Sequence, residues 1–326
     1  MNAMLLRITK PVEERPLEWT DLPTPQPGPG EGRVANQAIA INFHEINERR
    51  GQGHTPALPA ALGSDFAGPI DALGPGVEHL KLGDRVVGMT LRGAYAEKTC
   101  APSALAMRIP EGVSYEQAAS CPVAGLTAHF LLHDNHVGPG TTLVAYAGAG
   151  SVGCFVGGLC KRIGCTSIAL VSTEEKAAVA EQAGYTFVVE YRRQEPVAAV
   201  REITGGRGAD LVLDSVAGPD FERSFEMCAP DGIVELFGHA AGDPSPQALL
   251  SFLGKGRNLG LRSFFLGTTI ATRMPEIAPA FQALFSAFRE GDLHLPITRM
   301  PLAEVREAHR RIEAQETVGK LILQPQ

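Results

Sequence analysis

A glycine-rich turn carries the strongest chemical pattern in this sequence. It follows the apolar run TLVAY and consists of Gly148, Ala149, Gly150, Ser151, Val152 and Gly153. In a strand-to-helix turn of this G-x-G-x-x-G spacing, the first glycine permits the tight turn and the second lets the backbone approach a pyrophosphate. The third lets the helix pack against the sheet, and the helix N-terminus faces the diphosphate. The pattern predicts a dinucleotide-binding turn, with a purely structural glycine turn as the alternative.

The end of the next apolar run indicates which nicotinamide dinucleotide such a turn would bind. An NAD-specific fold presents Asp or Glu to the ribose 2′-hydroxyl about 20 residues beyond the glycines. Here that position holds Ser172, and Lys176 follows one helical turn later. A hydroxyl and an ammonium can hold a 2′-phosphate, which an acid would repel, so the sequence favours NADP(H). In the alternative interpretation, Ser172 and Thr173 cap the following helix and Glu175 completes a capping box from Ser172.

Alternating apolar runs and helical stretches must position these residues. From Thr142 onward the alternation is typical of a parallel βαβ sheet. We expect strands at Thr142–Tyr146, Ser167–Val171, Phe187–Tyr191, Asp210–Asp214, Ile233–Phe237 and Leu259–Phe264. Six such strands with intervening helices predict an α/β fold with a doubly wound parallel sheet of Rossmann size.

The N-terminal part is predicted to be β-rich. Glycine and proline separate strand-length runs at Val34–Ile41, Phe66–Leu73 and Arg85–Met89. The C-terminal tail is expected to contain a helix around Pro275–Arg289, a short strand at His294–Ile297, a helix across Leu302–Gln315 and a strand at Val318–Leu323. We assign this tail to the N-terminal domain, because the nucleotide fold is complete by residue 265 and the N-terminal sheet lacks helices to cover it. The predicted domains are residues 1–122 with 267–326, and residues 123–266.

An ordered set of short segments, spread over nearly the whole chain, carries a family resemblance. The segments are Asn42 to Gly51 (NFHEINERRG), Gly63 to Gly68 (GSDFAG), Gly83 to Val86 (GDRV), Gly93 to Glu97 (GAYAE), Pro122 to Ala128 (PVAGLTA), the glycine turn, and Gly319 to Leu321 (GKL). In these the chain resembles the medium-chain dehydrogenase/reductase superfamily, within it the zinc-independent quinone oxidoreductase (zeta-crystallin-like) branch. The resemblance implies a GroES-like β-rich catalytic domain and a Rossmann domain, with the active site in the cleft between them.

The resemblance also implies roles for individual residues. Those implied to bind NADP(H) are Asn42, Thr127, the glycine turn, Ser172, Lys176, Tyr191, Gly238, His239, Phe264, Phe265 and Leu266. Among them Ser172, Lys176 and Tyr191 would hold the 2′-phosphate, and the last five would follow the carboxamide. Asn42 and Thr127 are the implied catalytic residues, beside the nicotinamide. The alternatives are a turn residue at Asn42, an ordinary helix residue at Thr127 and a strand core at Phe264–Leu266.

No zinc site is expected. In the zinc-dependent branch, Cys stands at the position of Asn42 and Gly-His-Glu at the position of Gly63-Ser64-Asp65. Zinc favours Cys and His ligands in tetrahedral geometry. The six cysteines contain neither a C-x-x-C pair nor a closely spaced group of four, and those at 154, 160 and 165 are interpreted as small apolar packing residues. We predict neither a catalytic nor a structural zinc.

The expected reaction follows from the missing metal. Without a Lewis acid, reduction of an electrophilic quinone or activated enone fits better than alcohol oxidation, with the oxyanion held by hydrogen-bond donors. Two positions depart from the family: Glu45, where Asp is frequent, and Asn47, where many quinone reductases have Tyr. His44, His54 and His239 are candidate donors or pocket walls, although a single His is more often structural. A non-catalytic NADPH-binding protein, like the crystallin relatives, and an enoyl-thioester reductase remain as alternatives.

Composition and charge argue against several other classes. The 36 acidic and 29 basic residues give a net charge of −7, which disfavours nucleic acid as a partner. We find no signal peptide or membrane span, and the cysteines suggest no disulfide framework, so we expect a cytoplasmic protein. The apolar stretch Leu259–Leu266 should form an edge strand, and because an apolar edge needs cover, we predict a homodimer.

Overall fold

The chain divides into two compact units. The computed structural model describes residues 3–8, 17–52, 57–253 and 256–325. The first unit comprises Met1–Ala124, Phe281–Phe285 and Pro296–Gln326, and the second comprises Gly125–Ala280 and Ser286–Leu295. No described helix is long and apolar enough to cross a membrane.

Strands follow one another with few helices in the N-terminal part, and strands and helices alternate from β10 to β15. The strands are β1 (Ala3–Ile8), β2 (Leu17–Leu22), β3 (Glu31–Ala35), β4 (Ala38–Ala40), β5 (Ala60–Ala61), β6 (Asp65–Leu73), β7 (Arg85–Met89), β8 (Lys98–Pro102), β9 (Ala106–Arg108), β10 (Thr142–Tyr146), β11 (Thr166–Val171), β12 (Phe187–Glu190), β13 (Ala209–Asp214), β14 (Cys228–Leu236), β15 (Gly260–Ser263), β16 (Ile297–Pro301) and β17 (Lys320–Gln324). The α-helices are α1 (Phe43–Arg50), α2 (Tyr115–Ala119), α3 (Leu126–Asp134), α4 (Ser151–Ile163), α5 (Glu174–Ala183), α6 (Pro196–Ile203), α7 (Glu222–Met227), α8 (Pro246–Leu250), α9 (Leu266–Thr272), α10 (Met274–Glu290) and α11 (Val305–Glu313). Short 3-10 helices cover Ser103–Leu105 and Leu302–Glu304, and one π-helical turn covers Cys121–Gly125.

The first unit is mainly β-structure, as predicted. Among its described residues, one sheet has the strand order β16-β17-β4-β6-β3-β8, with β7 beside β6 and β9 beside β7. Strand β4 is central, since Ala40 pairs with Asp65 of β6 on one side and with Ile322 of β17 on the other. This register brings together the start of β6, the start of β17 and the loop between β4 and α1. The buried rings of Phe66 and Tyr95 belong to the core beneath them.

The second unit contains the predicted doubly wound sheet. Its six strands run parallel in the order β12-β11-β10-β13-β14-β15. Strand β10 therefore lies in the middle, and the chain winds outward from it in both directions, as in a Rossmann fold. The core between the sheet and its helices includes Val144, Ile168, Val212 and Phe225. The predicted fold class is confirmed.

Several predicted boundaries need correction in the first unit. The run Val34–Ile41 forms two strands, because the chain leaves the sheet at Asn36, whose side-chain amide donates to Ala96 O (2.8 Å) and Thr99 Oγ1 (2.8 Å). The short strand expected at His294–Ile297 lies later, as β16. Hydrophobic spacing does not reveal such a side-chain-to-backbone break.

The compact units also differ from the predicted domain division in the segment after residue 266. Helix α9 and both ends of α10 are grouped with the second unit, not the first. The apolar face of α10 explains this in part, since Phe288 packs edge-on against Phe155 of α4 at 5.7 Å between centroids. Arg273 also forms an ion pair with Asp134 of α3 at 2.7 Å. The sequence shows that α10 has an apolar face but not which sheet layer it covers.

Candidate functional site

The glycine turn joins the carboxyl end of β10 to α4. Gly150 is the N-cap residue of the helix, and Ser151 and Val152 begin its first turn, with Ala149 buried before them. Because the N-cap is glycine, no side chain caps this helix end. A helix N-terminus carries partial positive charge and backbone N–H donors, which suit a phosphate. The strand, turn and helix stand in the order that the spacing predicted.

A Cβ atom would meet different amounts of space at the three glycines of the turn. On Gly148 it would lie 2.5 Å from the Cβ of Ala169, and on Gly153 it would lie 2.4 Å from the carbonyl oxygen of Ala147. On Gly150 the nearest atom would be 3.2 Å away, and its φ of −80° suits any residue. Packing therefore explains the first and third glycines much better than the second. A backbone that must approach a pyrophosphate explains Gly150.

The predicted 2′-phosphate residues come together at the carboxyl ends of β11 and β12. Ser172 directly follows β11 and is 4 % exposed. The backbone N–H of Tyr191 donates to the carbonyl oxygen of Val171 at 3.0 Å, which places Tyr191 beside the end of β11. Lys176 lies in the first turn of α5, half-buried. A hydroxyl, a phenol and an ammonium are thus grouped where an NAD-specific fold would present an acid.

Arg192 adds a second cation that the sequence analysis missed. Burial lowers the pKa of Lys176, and the positive charge of Arg192 lowers it further, while Glu175 raises it. Like charges repel each other, and a bound anion would relieve the repulsion. Two arginines directly after Tyr191 could have indicated this second cation from the sequence. Only Arg192 contributes it, because Arg193 forms ion pairs with Glu174 and Glu190.

The capping alternative for Ser172 is only partly right. The N-cap of α5 is Thr173, whose hydroxyl accepts from the backbone N–H of Lys176 at 3.3 Å. With the helix starting one residue later than assumed, the third helical position is Lys176, so Glu175 cannot complete a capping box from Ser172. Ser172 is therefore not needed to cap the helix.

The other predicted cofactor residues follow β14 and β15 at the same edge of the sheet. A Cβ on Gly238 would lie 2.7 Å from the carbonyl oxygen of Ser215, so the backbone runs too close there for a side chain. His239 is half-exposed, and its Nδ1 lies 2.9 Å from Oδ1 of Asp243. These residues are available to a ligand at the carboxyl end of the sheet, where doubly wound folds bind nucleotides.

Phe264, Phe265 and Leu266 lie after β15, which ends at Ser263. The N–H of Phe264 donates to the carbonyl oxygen of Leu236 at 2.9 Å, and Leu266 begins α9. The side chain of Phe265 is 75 % exposed, so the alternative that this segment is strand core is wrong.

Thr127 lies in the first turn of α3 and is 7 % exposed. This agrees with the alternative that it is an ordinary helix residue, and its catalytic role remains a prediction.

Asn42 lies in the first unit, at the N-cap of α1, in a buried polar cluster. Its side-chain amide nitrogen donates to Asp65 Oδ2 at 3.0 Å and to Ser64 Oγ at 3.3 Å. Its side-chain oxygen accepts from the ammonium of Lys320. The residue is 6 % exposed, so it is more than a surface turn residue. Both of its amide hydrogens already have acceptors in the protein, which the prediction of a catalytic donor did not anticipate.

Glu45 completes this cluster through four hydrogen bonds. Its carboxylate accepts from Asn42 N (2.7 Å), Ser64 N (2.8 Å), Ser64 Oγ (2.9 Å) and Tyr95 Oη (2.6 Å). The exposed His44 lies 3.9 Å from the same carboxylate. The longer side chain at 45 therefore points into the cluster and orders the loop before β6. Asn47 is half-buried on the next turn of α1, and His54 lies outside the described residues.

Asp65 and Lys320 bring opposite charges into the interior, at 0 % and 1 % exposure. Desolvation raises the pKa of Asp65 to about 6, although the charge of Lys320 acts against the rise. Desolvation likewise lowers the pKa of Lys320, opposed by Asp65 and Glu45. Nothing in the sequence pattern identified these two residues as functional, beyond their places in GSDFAG and GKL.

No group of three or more His, Cys, Asp or Glu side chains among the described residues is arranged to hold a metal ion. All six cysteines are free thiols. Cys154 and Cys160 are buried in α4 and Cys165 follows it directly, as expected for packing residues. The absence of zinc remains a prediction.

Comparisons with known proteins agree with this geometry. Residues 28–111 match the model of the alcohol dehydrogenase GroES-like domain, and residues 183–323 match that of zinc-binding dehydrogenases. A quinone oxidoreductase of Pseudomonas aeruginosa is 36 % identical over 313 residues, covering 95 % of each chain. A 2-haloacrylate reductase of Burkholderia is 32 % identical over 316 residues, covering 94 % of this chain and 95 % of its own.

Solved structures show the same fold. The structure of Escherichia coli quinone oxidoreductase complexed with NADPH superposes with a TM-score of 0.92 at 30 % identity, covering 100 % of both chains. Because both domain models match and full-length relatives exceed 30 % identity, the chain belongs to the medium-chain dehydrogenase/reductase superfamily, in its quinone oxidoreductase branch.

Proposed function

We propose that this chain is an NADPH-dependent oxidoreductase that reduces a quinone or an activated enone without zinc. The observation that carries the cofactor assignment is the cluster of Ser172, Lys176, Tyr191 and Arg192 at the ends of two neighbouring strands. This cluster is cationic and rich in donors, which favours a 2′-phosphate over a bare 2′-hydroxyl. The E. coli relative complexed with NADPH supports the same assignment.

The residues of the second unit would hold the cofactor along the carboxyl edge of the sheet. The glycine turn and the start of α4 receive the diphosphate, and the Ser172 cluster receives the 2′-phosphate. The backbone at Gly238 and the segment from Phe264 to Leu266 lie at the strand ends beyond β13, where the nicotinamide half is expected. When bound, NADPH supplies a hydride from C4 of its nicotinamide ring.

The donor set around Asn42 supports a reaction without zinc. It consists of an amide, a hydroxyl and two carboxylates, and it already contains the ammonium of Lys320. Among the described residues, the side chains that hydrogen-bond to Asn42 include neither Cys nor His. A buried positive charge hydrogen-bonded to the same amide would repel a second cation. Zinc sites prefer Cys and His ligands. We therefore infer that Lys320 supplies the positive charge at this position.

Asn42 is the proposed donor to the oxygen of the acceptor. Of its two N–H bonds, the one to Ser64 Oγ is the longer, at 3.3 Å, so an incoming oxygen would displace that one. The bond to Asp65 and the bond from Lys320 would remain and keep the N–H edge of the amide in place. Loss of one such donor typically lowers kcat by a factor on the order of 10²–10³.

The acceptor class rests on the chemistry of the relatives. A quinone and a 2-haloacrylate are both electron-poor conjugated π-systems, which accept hydride without a Lewis acid when they are well positioned. We propose such an acceptor for this chain. An enoyl thioester belongs to the same chemical class, and a non-catalytic NADPH-binding protein is the remaining alternative.

Steady-state NADPH oxidation against a panel of quinones, enones and enoyl thioesters tests the proposal. We expect turnover with at least one acceptor, and Asn42→Ala should lower kcat at least a hundredfold while the Kd for NADPH changes little. Turnover of 4R- and 4S-deuterated NADPH should place deuterium on carbon in an enone product. No turnover with any acceptor, together with tight NADPH binding, would favour the non-catalytic alternative. An unchanged kcat in Asn42→Ala would reject Asn42 as the donor.

We further propose a cytoplasmic homodimer. Strand β15 is an edge of the six-stranded sheet, and the exposed Phe265 lies two residues beyond its end. An open strand edge with an exposed apolar side chain beside it is stabilised when a second copy covers it. Light scattering should give twice the single-chain mass, and a mass near 34.6 kDa would reject the dimer.

A further inference from the structure

The buried cluster around Asn42 contains one charge that is not balanced. Glu45 and Asp65 are carboxyl groups and Lys320 is an ammonium, and all three are at most 1 % exposed. Glu45 accepts four hydrogen bonds, which leaves no place for a proton on its oxygens. The negative charge of the Glu45 carboxylate therefore balances the positive charge of the Lys320 ammonium. The net charge of the cluster then depends on Asp65 alone: zero when Asp65 holds a proton and −1 when it does not.

The hydrogen bonds of Asp65 are uneven. Its Oδ2 accepts from Asn42 Nδ2 at 3.0 Å and from Val123 N at 3.0 Å. Its Oδ1 is buried and has no hydrogen-bond partner among the described residues. An ionised oxygen without a partner in the interior is costly, whereas a protonated one lowers that cost. Burial accordingly raises the pKa of Asp65 to about 6 despite the nearby ammonium.

The exposed imidazole of His44 lies 3.9 Å from the Glu45 carboxylate, and it is kept in every variant compared below. The other titratable groups near Asp65 add no permanent charge. Burial raises the pKa of the Tyr95 phenol and of the Cys121 thiol, and it lowers that of His309, which contacts Tyr95, to about 3. Strand β4 beside Asp65 carries no charged residue, and the β7 residue paired with it is Met89. On α2, Glu116 is occupied by an ion pair with Arg299.

We propose that Asp65 is a positioning residue for Asn42, and that the proton on Asp65 keeps negative charge away from the amide that receives the oxyanion. The inference rests on the proposed role of Asn42. Protonation on Oδ1 leaves Oδ2 free to accept from Asn42, so the amide keeps its orientation in both states. Only the charge beside it changes. A negative charge one hydrogen bond from the donor opposes the formation of an oxyanion there.

The pH dependence of turnover tests this inference. In the wild type, kcat should fall on the order of tenfold as the pH rises through a midpoint near 6, because Asp65 becomes ionised. In Asp65→Asn the side chain keeps its size and one acceptor oxygen but cannot ionise. That variant should retain the low-pH kcat across the whole range. Glu111→Gln, an exposed carboxyl in the same unit, is the matched control and should follow the wild-type profile.

A second measurement does not depend on turnover. The side-chain amide resonances of Asn42, identified by their loss in Asn42→Ala, should shift with pH in the wild type with a midpoint near 6. They should not shift over that range in Asp65→Asn. In Lys320→Met the midpoint should move to higher pH, since the ammonium that favours ionised Asp65 is gone.

The outcomes separate this inference from the proposed function. If no acceptor is turned over, the proposed function fails, and the amide resonances still decide whether Asp65 holds the proton beside Asn42. If turnover occurs and Asp65→Asn keeps the wild-type pH profile, the positioning role is wrong while the function stands. A midpoint that stays unchanged or falls in Lys320→Met, or amide resonances that do not titrate, would also overturn the inference.

Discussion

The proton on Asp65 should have a measurable effect on stability. Its pKa in the folded protein, about 6, lies above the ordinary aspartate value of 3.8, which approximates that of the unfolded chain. The folded state therefore binds more protons than the unfolded state between these values, and stability decreases as the pH rises through this window. A difference of about 2 pKa units corresponds to about 3 kcal/mol. The stabilisation is complete below pH ~4 and lost above pH ~6.

Asp65→Asn removes this penalty because the amide stays neutral at every pH. We expect the variant to equal the wild type near pH 4 and to exceed it by up to about 3 kcal/mol at pH 7.5. Unfolding of the first unit in urea, followed at several pH values between 4 and 8, measures the difference. Subtracting the two curves cancels contributions from other carboxylates, such as Asp71, whose ion pairs lower its pKa. Glu111→Gln should leave the curve unchanged.

Two results would refute this reasoning. If Asp65→Asn is less stable than the wild type at pH 7.5 by 1 kcal/mol or more, the ionised carboxylate stabilises the fold and the sign is wrong. If the difference between the two proteins does not change between pH 4 and 8, Asp65 does not titrate in this range.

Three further predictions concern the cofactor and the metal. NADPH should bind at least tenfold more tightly than NADH, which corresponds to about 1.4 kcal/mol. Lys176→Ala should remove most of this preference in fluorescence titrations. Equal Kd values for the two cofactors in the wild type would reject the 2′-phosphate cluster. Gly148→Ala should destabilise the second unit by ~1–3 kcal/mol in thermal unfolding because its Cβ would meet Ala169. Gly150→Ala should destabilise it less, because the nearest atom to its Cβ would be 3.2 Å away, and should weaken NADPH binding. The reverse pattern would contradict the assigned roles. Elemental analysis should find much less than one zinc per chain, and activity should survive a strong chelator. If zinc is stoichiometric and is lost together with activity, the chain works as a zinc-dependent enzyme.

The fold of the second unit could be predicted closely because local signals agree there. Buried parallel strands appear as short apolar runs, and the glycine turn marks the first crossover, so β10 lies where the sequence placed it. The start of α5 was misplaced by one residue, since Ser172 and Thr173 are both good N-cap residues and only the backbone geometry chooses between them. Arg192 was missed because an arginine after a strand is usually just a solvated residue.

The buried cluster of the first unit could not be predicted from local patterns. Lys320 and Asn42 are 278 positions apart in the chain and meet because β17 pairs with β4, while Asp65 joins them because β6 pairs with the other side of β4. A lysine in a short apolar strand is normally expected to face solvent. The resemblance pointed to Asn42 as an isolated donor, whereas the structure shows an amide held at both ends by ionisable groups.

That arrangement changes what the amide can do. The ammonium of Lys320 donates to the side-chain oxygen of Asn42, and this draws electron density away from the amide nitrogen. Its N–H groups therefore become stronger donors than those of an isolated asparagine. The same ammonium places one positive charge within the cluster. It would act on the substrate oxygen through Asn42, whereas a metal ion binds the substrate directly. An activated amide of this kind can stabilise charge developing on an acceptor that is already electrophilic, yet it lacks the strength to polarise an ordinary alcohol or ketone. This chemistry supports the proposed class of quinones and activated enones over alcohols, on grounds that are independent of the relatives' names.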